Sequence, residues 1–169
     1  SEGTLAILTK VAVRLLKKPE AVKTLLAIFR QLDQASAAVS SIIGTGLVPT
    51  ALEMMDRLTI KAVETAMRFG YPQDAGAILL VEVDGLTGDV EEAAIEVERV
   101  CVQEGAREVR AASETAERER LWSGRKGALG SLGALAPNYY LVDGVVPRTQ
   151  LAQVLAQVSD WEQTCVNTE

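Results

Sequence analysis

Ala77-Ile78-Leu79-Leu80-Val81-Glu82-Val83-Asp84-Gly85 is the segment that decides the fold of this 169-residue chain. A short, nearly continuous apolar run bounded by glycines is typical of a strand buried in the middle of a sheet. Glu82 and Asp84 alternate on one side of this strand, so they form either a buried polar pair or the open face of the sheet. The second interpretation is favoured. The segment therefore predicts a central strand over 77–85.

Helical and extended patterns alternate on both sides of this strand. From Glu20, for example, apolar residues recur at steps of three and four through Leu32, which is typical of an amphipathic helix. The predicted elements are strands at 4–16, 77–85, 108–112 and 139–146, an extended segment at 49–56, and helices at 20–32, 33–43, 58–69, 89–103, 114–135 and 149–164. This alternation predicts an α+β fold with a ferredoxin-like antiparallel sheet and helices packed on one face, incomplete at the C-terminal end.

The composition excludes several classes of function. The chain is 48% apolar, which indicates one domain with an ordinary core, and it contains no histidine, so a Ser-His-Asp triad and a His-ligated metal are excluded within it. Its net charge of −6 argues against nucleic acid and anionic membranes as partners, and no apolar run approaches the ~20 residues of a membrane span. Cys101 and Cys165 lie far apart in the sequence, which favours reduced thiols in a cytosolic protein.

Glycine occupies every third position from Gly124 to Gly133. Four units without proline do not make a collagen repeat, and the spacing matches no phosphate-binding loop. A helix with small residues on one side remains, and its glycines either admit a ligand beside Arg125 and Lys126 or pack closely against the sheet. Arg125 is the stronger anion-binding candidate because a guanidinium pairs with a carboxylate through two hydrogen bonds.

The segment after these glycines offers a second group of polar candidates. Tyr139, Tyr140 and Asp143 either line a polar pocket or belong to a half-buried strand that leads into an Asp-Gly turn. The sequence leaves both alternatives open.

Five segments occur in the order found in one enzyme family. They are Ser1-Glu2-Gly3-Thr4-Leu5-Ala6-Ile7, Val48-Pro49-Thr50-Ala51-Leu52-Glu53-Met54-Met55-Asp56, Leu80-Val81-Glu82-Val83-Asp84-Gly85, Leu121-Trp122-Ser123-Gly124-Arg125-Lys126, and the stretch from Asn138 to Arg148. With these segments the chain resembles, over nearly all its length, the FAD-linked 2-hydroxyacid oxidases, a class that includes glycolate oxidase D subunits and D-lactate dehydrogenases. The resemblance implies that residues 1–10 end an FAD-binding domain and that 11–169 form the C-terminal substrate, or cap, domain.

The resemblance also implies roles for individual residues. Arg125 matches the arginine that holds the substrate carboxylate in this family, and Lys126 and Tyr140 are further substrate-binding candidates near it. The backbone of Gly3, Thr4 and Ile7 is expected near the flavin. No catalytic residue and no metal ligand is expected in this chain.

The activity implied for the full-length protein is hydride transfer from C2 of glycolate or D-lactate to FAD. A divalent metal would be held by family histidines that begin shortly after Glu169. The expected partners are the 2-hydroxy acid, other subunits of a glycolate oxidase complex and a second copy of the chain. The expected location is the cytoplasm, either free or peripheral to the inner membrane, and the isolated piece is expected to be inactive.

A second hypothesis uses the fold pattern alone. A ferredoxin-like module can bind a small ligand or form oligomers without any redox step. The presence or absence of FAD in the full-length protein separates the two hypotheses.

Overall fold

The computed structural model describes residues 3–112, 114–134, 138, 141 and 143–166. The elements follow in the order β1 (Ala21–Phe29), α1 (Leu32–Gly44), β2 (Ala51–Asp56), α2 (Arg57–Met67), β3 (Ala77–Gly85), α3 (Thr87–Gln103), β4 (Glu108–Ala111), α4 (Thr115–Lys126), α5 (Ala128–Leu132) and α6 (Leu151–Val166). A 3₁₀ turn over Arg148–Gln150 precedes α6.

The strands form one sheet in the order β2-β3-β1-β4, and every neighbouring pair is antiparallel. This order, with α1 and α3 as the crossover helices, is that of a ferredoxin-like fold, and α2 is an addition between β2 and β3. The predicted α+β class and antiparallel ferredoxin-like sheet are confirmed. Strand β3 covers the predicted 77–85 segment, and its register places Glu82 between Thr24 of β1 and Ala51 of β2.

Helices cover both faces of this sheet. On the first face, Leu25 and Leu79 pack with Val97 of α3 in a buried cluster that also includes residues of α1. On the second face, Ile78 packs with Ile60 of α2. The prediction that helices cover one face is correct for α1 and α3, but it misses the helices on the second face. These are needed because the centre of β3 is apolar on both sides and must be covered on both. Each large side chain buried in this way contributes about 1.5–3 kcal/mol.

The predicted helix at 20–32 is wrong, because residues Ala21–Phe29 form strand β1. This strand lies between β3 and β4, and its side chains from Thr24 to Phe29 are buried. A central strand covered on both faces is apolar throughout, and such a run also contains apolar residues three and four apart.

Two predicted strands are not formed. Residues 4–16 lie in no helix or strand and are exposed, so their alternating pattern has no partner strand among the described residues. In the predicted strand 139–146, Leu141 and residues 143–146 have no regular structure, while Tyr139, Tyr140 and Val142 lie outside the described residues. The helix predicted over 114–135 is two helices, α4 and α5, which meet at Gly127.

Candidate functional site

The second face of the sheet changes from apolar to polar along β3. Ile78 and Leu80 belong to the buried cluster, whereas Glu82, two residues further on the same side, lies beside Thr24 and Ala51. Helices α2 and α5 cover the apolar end, and α4 lies over the polar end. The polar end of this face, with α4 above it, is the candidate site.

Glu82 holds α4 on the sheet. Its Oε2 accepts hydrogen bonds from Thr24 Oγ1 at 2.7 Å, from Trp122 Nε1 at 2.6 Å and from Arg118 Nη1 at 3.5 Å. The Glu82 side chain is only 15% exposed. The favoured open-face interpretation is therefore wrong for Glu82, because α4 covers it, and correct for Asp84, which is exposed.

A cleft of about 580 Å³ opens between α4 and the sheet. Its volume lies within the usual range for small-molecule sites, roughly 300–1,000 Å³. The cleft is lined by Ala51, Glu82, Arg118, Glu119, Trp122, Ser123 and Lys126. Two cations and two carboxylates therefore line it together with one large aromatic ring, and Lys126 is the predicted substrate-binding residue among them.

Arg125, the predicted anion anchor, is held by a carboxylate that the sequence analysis did not select. Its Nε donates a hydrogen bond to Oε2 of Glu53 at 2.9 Å, and its Nη2 lies 2.8 Å from the same oxygen in an ion pair. Glu53 lies on β2 two residues from Ala51, so the pair lies next to the cleft, although Arg125 is not among its lining residues. The Arg125 side chain is 39% exposed. Part of this side chain is therefore open to solvent and to a ligand.

The glycines around Arg125 permit close packing. A Cβ at Gly124 would lie 2.4 Å from Tyr71 Oη, and one at Gly127 would lie 2.7 Å from Met67 Sδ, whereas at Gly130 it would meet no atom within 4 Å. Tyr71 Oη donates to the Leu121 carbonyl at 2.5 Å. Burial, and secondarily the Glu64 carboxylate, raises the pKa of Tyr71 well above its usual value. Close packing therefore explains Gly124 and Gly127, and its partners are Tyr71 and Met67 rather than a strand.

The remaining predicted residues lie elsewhere. Gly3, Thr4 and Ile7 belong to the exposed segment before β1, and they line neither this cleft nor a second cavity between α1 and α6. Tyr140 lies outside the described residues, and Asp143 is exposed. The sequence analysis missed Glu53 and Arg118 as members of the site. A signal for Glu53 was its place among apolar residues of a short extended segment, where a carboxylate needs a partner.

The described residues provide neither a metal-binding cluster nor a membrane-spanning helix. No group of three or more acidic or cysteine side chains lies close enough together to hold a metal ion. Among the described helices, none combines the length and the apolar character that a membrane crossing requires.

Comparison with known proteins gives a family match. The model of a family described as FAD linked oxidases, C-terminal domain, matches residues 18–162. Glycolate oxidase subunit GlcD of Escherichia coli K12 is 45% identical over 163 residues, which are 96% of this chain and 33% of that protein. D-lactate dehydrogenase of Anaerostipes hadrus is 28% identical over 169 residues, which cover 96% of this chain and 36% of that protein.

A solved structure of alkyldihydroxyacetonephosphate synthase has a similar fold, with a TM-score of 0.61 over 89% of this chain and 32% of the other. Its sequence identity is 16%, so this similarity concerns the fold alone. The chain spans about a third of the length of the curated relatives named above.

Proposed function

We propose that this chain, which belongs to the family of C-terminal domains of FAD-linked oxidases, forms the substrate-binding wall of an enzyme. The proposed enzyme oxidises a 2-hydroxy acid to the 2-oxo acid. The observation that carries the proposal is the Arg125 guanidinium, which is half-exposed at the end of a helix fixed to the sheet and lies beside a cleft of suitable size. Glycolate and D-lactate are the substrates proposed.

In this proposal Arg125 binds the substrate carboxylate. A guanidinium presents five N–H donors in a rigid plane, so it can hold a carboxylate with two hydrogen bonds and fix its orientation. Lys126, on the cleft wall one residue further along α4, adds a second positive charge within the same turn. Tyr140 is proposed as a further substrate contact on the basis of the family resemblance.

The flavin site is proposed to include the backbone of Gly3, Thr4 and Ile7. Residues 1–10 then end the FAD-binding domain, and 11–169 form the oxidase C-terminal domain. The exposure of this segment supports the proposal, although the segment lines neither of the two cavities described above. When bound, FAD supplies the acceptor for the hydride that leaves C2 of the hydroxy acid.

The residues of this chain do not fit the divalent metal implied by the resemblance. The chain contains no histidine, and the described residues contain no cluster of metal-binding side chains. No step through a metal is therefore derived. As partners and place of action we propose other subunits of a glycolate oxidase complex, a second copy of the chain, and the cytoplasm.

The test is kinetic and uses a full-length flavoprotein that contains this chain. Arg125→Met is expected to raise KM for glycolate or D-lactate by about 10- to 150-fold, because a charged hydrogen-bonded contact contributes roughly 1.5–3 kcal/mol. The control is Arg99→Met, which removes an exposed arginine from α3, on the opposite face of the sheet. An unchanged KM in Arg125→Met at normal flavin content, or a full-length protein that binds no FAD, would contradict the proposal.

A further inference from the structure

We propose that Glu53 is a positioning and specificity-determining residue for Arg125, and that its charge restricts the anchor to 2-hydroxy acids with a single carboxylate. This inference rests on the proposed function, since it assigns a partner to the proposed substrate anchor. Its basis is the ion pair in which Arg125 Nε donates a hydrogen bond to Oε2 of Glu53 and Nη2 lies next to the same oxygen.

A planar guanidinium has two edges with paired donors, one formed by Nε and one Nη, the other formed by both Nη groups. Glu53 takes the first edge, at 2.9 Å and 2.8 Å. A substrate carboxylate is then expected at the second edge, because that edge still offers two parallel N–H donors. Glu53 fixes the plane in which that edge lies.

The charges around Arg125 are balanced. Glu53 already neutralises Arg125, and on the neighbouring cleft wall Arg118 and Lys126 are matched by Glu82 and Glu119. These six side chains carry three positive and three negative charges, so a substrate carboxylate bound to Arg125 gives the arrangement a net negative charge. A dicarboxylate bound through Arg125 would bring a second negative charge close to Glu53, and specificity arises when such a repulsive element weakens binding of the competing ligand.

The experiment compares D-lactate with D-malate, which carries a carboxylate on the carbon that is the methyl group of lactate. In the full-length flavoprotein, Glu53→Gln keeps an oxygen acceptor for Arg125 and removes the charge. It is expected to raise the ratio of kcat/KM for D-malate to kcat/KM for D-lactate by about 2.5- to 30-fold, as expected for two charges roughly 8 Å apart at an effective dielectric constant between about 80 and about 20. Glu53→Asp keeps the charge and is expected to leave the ratio unchanged within about twofold.

The control is Glu92→Gln, which removes the same charge from an exposed position of α3, on the first face of the sheet. A loss of stability alone would lower both kcat/KM values together and leave the ratio unchanged. An unchanged ratio in Glu53→Gln, or an equal rise in Glu92→Gln, would overturn the assignment. An unchanged KM in Arg125→Met would instead show that the proposed anchor is wrong, so the two failures are distinguishable. Should Glu53→Gln not fold, Glu53→Ala provides the same charge removal.

Discussion

Replacing Gly124 with alanine tests how α4 is held against the rest of the domain. The added Cβ would lie 2.4 Å from Oη, 2.7 Å from Cε2 and 2.9 Å from Cζ of Tyr71. Tyr71 is only 3% exposed, and its hydroxyl donates to the Leu121 carbonyl one turn before Gly124. The ring therefore cannot move away without breaking this hydrogen bond and disturbing the buried cluster around it.

The expected cost follows from three contributions. Inserting a methyl group into a well-packed interior costs about 1–3 kcal/mol, and losing the Tyr71 hydrogen bond adds about 0.5–1.5 kcal/mol. Alanine is favoured over glycine inside a helix by about 1 kcal/mol, which offsets part of this. Gly124→Ala is therefore expected to lower the free energy of unfolding by about 2 kcal/mol.

Urea denaturation of the chain, followed by circular dichroism, measures this change. Gly130→Ala is the matched control, since a Cβ at Gly130 meets no atom within 4 Å and the residue lies in α5, close to α4. The control is expected to be neutral or more stable by up to about 1 kcal/mol. Should Gly124→Ala unfold at the same urea concentration as the wild type, or at a higher one, the close-packing explanation of this glycine would be refuted.

Two further predictions concern other contacts. Trp122→Phe removes the Nε1 donor to the Glu82 carboxylate and is expected to lower the free energy of unfolding by about 1.5–3 kcal/mol in the same denaturation assay; an unchanged stability would show that this bond does not hold α4. The hydrogen bond and charge of Arg107 lower the pKa of Asp74 to about 2, below its unfolded value of about 4. The stabilisation by the Asp74–Arg107 pair is therefore present above about pH 4 and lost as the pH falls toward 2. The difference in Tm between wild type and Asp74→Asn should shrink over that interval. A constant difference would contradict the role given to this pair.

The fold was predictable where local pattern and tertiary environment agree. Strand β3 has the bounds that its apolar run and glycines predict, and α3 carries its buried residues on one face as its periodicity indicates. Strand β1 was not predictable in this way. Its residues from Thr24 to Phe29 are buried on both sides, so neither a period of two nor one of 3.6 distinguishes them, and only pairing with β3 and β4 decides.

The exposed segment at 4–16 shows the opposite case. Its alternation favours a strand, but alternation only marks residues that suit a sheet, and a strand forms when another backbone supplies hydrogen bonds. Among the described residues no strand pairs with it, and Leu5, Leu8 and Leu15 are each more than four-fifths exposed. Alternation along one segment therefore predicts a strand even where no partner strand is available to pair with it.

The candidate site shows which part of function a sequence can reveal. Arg125 stands out locally, because a guanidinium beside glycines is unusual and its chemistry is known from its type. Its partner does not stand out, since Glu53 lies 72 residues earlier on a short strand. The two meet only because the β2–β3 register pairs Glu53 with Leu80 and Ala51 with Glu82, which places Glu53 on the face that α4 covers. A one-residue slip of β2 would turn Glu53 to the other face and leave Arg125 without this carboxylate. The charge beside the proposed anchor is thus a property of the sheet register, which is why we expect substrate charge preference to respond to Glu53 and not to an equal change on α3.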